Sequence, residues 1–296
     1  MPKHFSVTQK GSDTFFLKEK YKYPILRQII MEFSSEVKEG QSAFHGRGAY
    51  MAIPVSALKD RRLIVRHYSH GGLWGKLVGD ILLGHNRPLR ELVNTEKAQE
   101  RGVDTAEVVA LRFRKYFGPL CKGDIFTLEI SDAQDLIVFL TNCPAEEILL
   151  QKRELIRHVA QAVRRMHDAG VYHADLHLKN ILVKRGDTLK VYIIDLDKSE
   201  LYANRANGGL SIERRMNNIL RLDRSVEKFK EWRPDLRLIT SADRLRFLRE
   251  YAVGGGEDWK TLARRYATHH AAHRLWWRFL GAVGLGIYDF ERRQRQ

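Results

Sequence analysis

Hydrophobic and polar positions divide this chain into two stretches of different period. From "HGRGAYMAIPV" through "RRLIVRHY" a glycine turn, a β-branched run, a basic break and a second β-branched run predict paired antiparallel strands. "RPLRELVNTEKAQERG" then spaces its apolar residues as a helix does and stops at glycine. "DTAEVVALRFRKYFGPLCKGDIFTLEI" returns to strands, broken at Gly118-Pro119 and Gly123-Asp124. After residue 131 the helical period takes over, in "DAQDLIVFLT" and in the strongly amphipathic "KRELIRHVAQAVRRMHDAG", which Gly170 closes. A short hairpin, "ILVKRG" and "LKVYIIDLD", follows, and from residue 210 arginine-rich amphipathic helices dominate. The pattern predicts an α+β chain of two lobes: residues 1–45 as an N-terminal extension with a possible helix around "PILRQIIMEFSSEVKE", 46–130 as a small β-rich lobe, 131–270 as a larger helical lobe, and 271–296 as a basic aromatic tail.

Composition narrows the class of protein. With 296 residues, 44% hydrophobic and 29% charged, the chain can bury a substantial core and is neither disordered nor membrane-spanning in character. Cys121 and Cys143, in no metal-ligand spacing, argue against a disulfide framework or a structural zinc site. The first residues lack the apolar core of a signal peptide, and no apolar stretch approaches the roughly 20 residues of a spanning helix, so a cytoplasmic location is expected. A formal charge of +15 predicts attraction to polyanions. No base-reading motif accompanies it, and nucleic acid is not the expected partner.

The candidate chemistry is phosphoryl transfer, which asks a protein for a phosphate cradle, a cation, metal-binding groups and a carboxylate to orient the attacking hydroxyl. "HADLHLKN" has the spacing of a kinase catalytic loop, with Asp175 as the hydroxyl-orienting base and Asn180 as a metal ligand. After the hairpin, Asp195 in "IIDLD" is positioned as the second metal ligand. Upstream, Gly46, Arg47 and Gly48 can turn over phosphates, Arg66 in "LIVR" occupies the place of the strand lysine, and Glu91 in "RPLRELV" is its candidate ion-pair partner. Glu129 in "GDIFTLEI" joins them as a nucleotide-site candidate. His173 reads as an organiser of the loop; His177 and Lys179 are either solvated or in contact with substrate.

"GRGAYMAI", "VRHYSHGGLWGKLVGD", "HADLHLKNILV", "IIDLDKS" and "NNILRLDRSVEK", in that order and spacing, resemble the bacterial lipopolysaccharide-core kinases, most closely the 3-deoxy-D-manno-octulosonic acid (Kdo) kinases. The resemblance runs from about residue 46 to 230. It implies a bilobal protein-kinase-like fold, ATP with Mg²⁺ or Mn²⁺, and phosphorylation of a Kdo hydroxyl on Kdo-lipid A at the cytoplasmic face of the bacterial inner membrane, with the anionic membrane surface as a partner. Heptose of the core, or a catalytically silent scaffold, are the alternatives. Arg66 replaces the lysine of protein kinases but keeps its charge in a planar fork. Ala174 replaces the arginine that reads a phosphorylated activation loop, Leu196 the usual phenylalanine, and "HLK" the more common "NAH". Arg214, Arg215, Arg221, Arg224, His67 and His70 are candidate cations for an acidic acceptor, and the tail with Trp276, Trp277 and Phe279 suits either an interfacial helix or core packing.

Overall fold

A computed structural model describes residues 4–23, 25, 29, 50–55, 61–68, 80–202, 209–235, 239–256 and 258–282. They fall into two compact units, one comprising residues up to Lys97 with Ala106–Ser131, the other Ala98–Thr105 with residues from Asp132 onward.

The first unit is built on an antiparallel sheet. Its strands are β1 (Phe5–Lys10), β2 (Asp13–Lys18), β3 (Tyr50–Pro54), β4 (Arg62–His67), β5 (Leu82–Leu83), β6 (Val108–Phe117) and β7 (Leu120–Leu128). They run in the order β1-β2-β6-β7-β4-β3, with β5 on β7. Side chains alternate between faces along a strand, and in β2 this sends Phe15 and Leu17 into one core and Phe16 into another. Both faces are therefore buried, which is why β6 reads as the continuous apolar run "VVAL". A register shift between Val108 and Ala110 puts Val109 and Ala110 in the same core.

Residues 5–18, assigned by pattern to an extension, are thus hydrogen-bonded members of this sheet, β2 lying against β6 from Asp13↔Arg114 to Leu17↔Ala110. Two ionic links fasten them. Asp13 takes Arg112 Nη2 at 2.8 Å and Arg114 Nε at 3.1 Å, and Lys18 Nζ lies 2.9 Å from Glu96 and 2.8 Å from Glu107. The helix suggested for "PILRQIIMEFSSEVKE" lies largely outside the described residues.

Helix α1 (Asn86–Glu100) packs Leu92 into the core that holds Phe113 and Ile125. Pro88 stands in its first turn, where a missing N–H costs no helical bond. Gly102 at φ 81° ends it.

In the second unit, β8 (Ala133–Asp135) leads into α2 (Leu136–Asn142), and α3 (Ala145–Asp168) is its long central helix. The sequence pattern makes "DAQDLIVFLT" helical throughout; the structure begins the helix only at Leu136, because the Asp135 side chain caps it by accepting from the Ile137 and Val138 N–H groups. After α3, Gly170 at φ 72° reverses the chain, and a Cβ there would meet Tyr202 O at 2.8 Å. Glycine alone fits that turn. Then come β9 (Val171–His173), the hairpin β10 (Ile181–Lys184) and β11 (Lys190–Ile193), β12 (Ser199–Leu201), and helices α4 (Ile212–Trp232), α5 (Ser241–Ala252) and α6 (Trp259–Ala282). β11-β10-β8 form one small sheet and β12-β9 another. Val163, Met166, Leu176, Ile181, Ile219 and Tyr251 belong to one continuous core. No described helix is long and apolar enough to cross a membrane.

Candidate active site

The first unit holds the candidates for the nucleotide. In β4 the pleat alternates Leu63 and Val65 inward, leaving Arg66 31% exposed at the strand's end. Its Nη2 donates to Glu91 Oε1 and Oε2 at 2.5 and 2.6 Å. Glu91, 4% exposed on α1, also accepts the Tyr68 hydroxyl, and the Arg66 guanidinium lies 5.1 Å from the Tyr68 ring centre. The ion pair expected from sequence is therefore formed in the structure, with an aromatic wall the sequence reading did not include. A desolvated charge pair of this kind holds only when its remaining polar atoms are satisfied, and the Tyr68 hydroxyl serves that need.

Glu129, just past the end of β7, pairs with Arg62 at the start of β4, Arg62 Nε donating to Oε2 at 2.7 Å. Gly46, Arg47, Gly48 and His70 lie outside the described residues.

His67, counted from sequence among cations for an acceptor, is held between two carboxylates. Nδ1–H donates to Asp124 Oδ1 at 2.6 Å and Nε2–H to Asp80 Oδ2 at 3.0 Å. Lys122 reaches Asp80 at 2.9 Å, and Arg112 Nη1 lies 3.5 Å from Asp124. The hydrogen bond to Asp124, against the cost of burial, raises the imidazole above its ordinary value. A histidine raised on folding contributes stability below its unfolded pKa, about 6.5, and loses it as pH rises through the higher folded value. The melting-temperature advantage of the wild type over His67→Gln is accordingly expected to be full at pH 6 and to shrink toward pH 9. A constant advantage across that range would show that the imidazolium is not what holds Asp80 and Asp124.

The second unit holds the catalytic-loop candidates. His173, fully buried, donates from Nε2 to Ile194 O at 3.0 Å and accepts at Nδ1 from the Asp175 N–H at 3.2 Å. Both ring nitrogens are committed in the neutral form, and burial lowers its pKa accordingly. Asn218 on α4 brackets the same residue, accepting from the His173 N–H and donating to its carbonyl, each at 3.0 Å. Its Oδ1 also accepts from His167 Nε2 at 3.2 Å. Burial and then Arg215 push His167 down to about 3, so it too stays neutral.

Around this anchor the loop closes on itself. Asn180 Nδ2 donates to the Asp175 carbonyl at 3.0 Å, and the Asn180 carbonyl accepts from the Ile194 N–H at 2.9 Å. Ser225 Oγ on α4 accepts from the Leu178 N–H at 3.1 Å. Because β10 pairs with β11, Ile181 facing Ile193, the chain reaches Asp195 beside Asn180. There Asp195 adopts the left-handed conformation, φ 62° and ψ 63°, and starts the 3₁₀ turn Leu196–Lys198. That turn buries Asp197 to 5% and brings one of its oxygens within 4.8 Å of an Asp195 oxygen. These two carboxylates are hard oxygen donors. They fit a divalent cation such as Mg²⁺.

Asp197, Lys198, Asn218 and Ser225 were missed as site residues; only the Asp-x-Asp spacing of "IIDLD" signalled the first. Of the arginines on α4, Arg215 is not an acceptor contact but a buried lock, bonded to Asp168 at 2.7 Å, Leu210 O at 2.8 Å and the Tyr251 hydroxyl at 3.2 Å. Its side chain is spent on the core. Arg214 lies over the Tyr202 ring at 4.0 Å. Arg221 is exposed; Arg224 is half-buried, and burial and then Arg221 lower its pKa.

A β-rich unit followed by a helical one, with such a loop and a hairpin ending in aspartate, defines a kinase-like α+β protein. A solved structure described as WaaP in complex with acyl carrier protein shares the fold, with a TM-score of 0.51 and 21% identity over 80% of this chain and 86% of that one. The family model described as lipopolysaccharide kinase (Kdo/WaaP) matches residues 38–251. The 3-deoxy-D-manno-octulosonic acid kinase of Vibrio cholerae serotype O1 is 34% identical over 168 residues, 55% of this chain and 65% of that protein. The protein of the same description from Pasteurella multocida is 30% identical over 197 residues, 64% of this chain and 79% of that one. The chain thus spans just under two thirds of the Vibrio cholerae relative and more of the other. It belongs to the lipopolysaccharide kinase (Kdo/WaaP) family.

Proposed function

We propose that the protein is an ATP-dependent kinase that transfers the γ-phosphoryl group to a hydroxyl of Kdo on Kdo-lipid A, at the cytoplasmic face of the inner membrane. The observation that carries this reading is the loop around His173, which is fixed through its backbone while leaving the Asp175 carboxylate 41% exposed. Asp175 orients the acceptor hydroxyl and takes its proton as the bond to phosphorus forms and the bond to the leaving ADP oxygen breaks. Asn180 and Asp195, with Asp197 beside them, hold the Mg²⁺ or Mn²⁺. When bound, that ion neutralises charge on the phosphates of ATP. Arg66, oriented by Glu91, holds phosphate oxygens through its planar guanidinium fork. The excess of basic residues, +15 in all, supports a peripheral position on an anionic membrane carrying the acceptor.

Transfer of radiolabelled phosphate from ATP to Kdo-lipid A, run beside a heptose-extended core, tests the proposal. Label on the Kdo acceptor is the expected result. Label confined to the extended core would reassign the acceptor to heptose, and no label on either, with nucleotide bound, would leave a silent scaffold.

A further inference from the structure

Strands β9 and β12 are each three residues long and pair antiparallel, His173 facing Ser199 and Val171 facing Leu201. Chain continuing past His173 reaches Asp175 two residues later, and chain entering β12 arrives from Lys198, so both come to the same end of the pair. There Lys198 Nζ donates to Asp175 Oδ2 at 3.3 Å. The two side chains are 62% and 41% exposed. An ion pair so open to water adds little to stability, so the fold gives no reason for a cation at this spot.

Its position gives one. In the reading above, the acceptor hydroxyl must donate to the Asp175 carboxylate. Lys198, a compact charge on a flexible stem, then stands beside the bound sugar, where it can reach an anionic group on the ring. Kdo is an acid sugar with a carboxylate on its ring; a heptose has none. In the same reading Arg66 and the metal-binding groups serve the nucleotide phosphates, and an acceptor carboxylate is an anion matched to this ammonium.

We propose that Lys198 is the acceptor-binding residue that reads the sugar carboxylate, pairing with Asp175 in the free protein and with the acid sugar in the complex. The inference rests on the phosphotransfer reading of the loop and assigns Lys198 a part in choosing acid over neutral sugars. No bond is made or broken at Lys198.

Steady-state kinetics of the full chain, with Kdo-lipid A and with the same acceptor esterified at its Kdo carboxylates, test it. In the wild type, esterification is expected to raise the acceptor KM about 10- to 100-fold, the range of a charge-assisted hydrogen bond. Lys198→Gln should raise KM for the free acid by a similar factor, with kcat changed less than KM and with little further effect of esterification. Lys198→Arg should recover most of the loss. A Lys198→Gln variant that loses kcat at unchanged KM, or that loses equally on acid and ester, overturns the inference while leaving the kinase reading intact. A wild type that phosphorylates no Kdo acceptor overturns the proposed function, and this inference with it, before any variant is compared.

Discussion

Asp175→Ala is expected to lower kcat for phosphoryl transfer by about 10²- to 10⁴-fold, the range for loss of a positioned general base, with nucleotide affinity and melting temperature near those of the wild type. The selectivity follows from how the loop is held. Asn180 and His173 bond to the backbone carbonyl and N–H of Asp175, and neither bond uses its carboxylate. The carboxylate itself meets Lys198 in an exposed pair at 3.3 Å, whose loss costs at most about 1 kcal/mol. Single-turnover measurements with saturating ATP separate this from a binding defect. A variant retaining more than a tenth of the wild-type rate would remove Asp175 from the role of base.

Asn218→Leu should damage folding instead. The asparagine is fully buried and supplies three hydrogen bonds, two to the His173 backbone and one to His167. Leucine has nearly the same volume and none of the polar atoms, so an N–H, a carbonyl and a ring N–H are left unpartnered in the core. At about 1–3 kcal/mol for each such group, the total of about 3–9 kcal/mol is comparable to the whole stability of many domains. Thermal unfolding followed by circular dichroism is expected to show a large drop in melting temperature, or no cooperative transition. A melting temperature within two or three degrees of the wild type would mean that these groups find other partners.

The sequence made the local chemistry of this fold readable and its long-range contacts much less so. Helix α3 could be placed from its apolar period and from Gly170, whose positive φ the turn needs. The β10–β11 hairpin followed from two β-branched runs around Gly186-Asp187. Arg66 and Glu91 could be paired by analogy with a strand cation and a helix carboxylate, and the structure joins them. Strands β1 and β2 were not recognised, because each is only six residues long and ends in lysine; β1 pairs with β2 alone, and the partner that ties β2 into the sheet, β6, lies far downstream, Asp13 facing Arg114. The β9–β12 pair is shorter still, three residues on each side, too few to show a period. With it went Lys198, whose neighbour Asp175 is 23 positions away. Arg215 misled for a related reason: an arginine on an amphipathic helix reads as surface, and only the fold reveals Asp168 and Tyr251 waiting for it.

The left-handed backbone at Asp195 also determines which inactive form of the protein is useful for trapping a complex. Asparagine tolerates that conformation nearly as well as aspartate, whereas alanine or glutamate would strain it. Asp195→Asn would therefore keep the turn, the burial of Asp197 and the placement of Lys198 while removing one negative charge from the proposed cation site. For a crystal holding nucleotide and acceptor together unreacted, that substitution is a better choice than alanine.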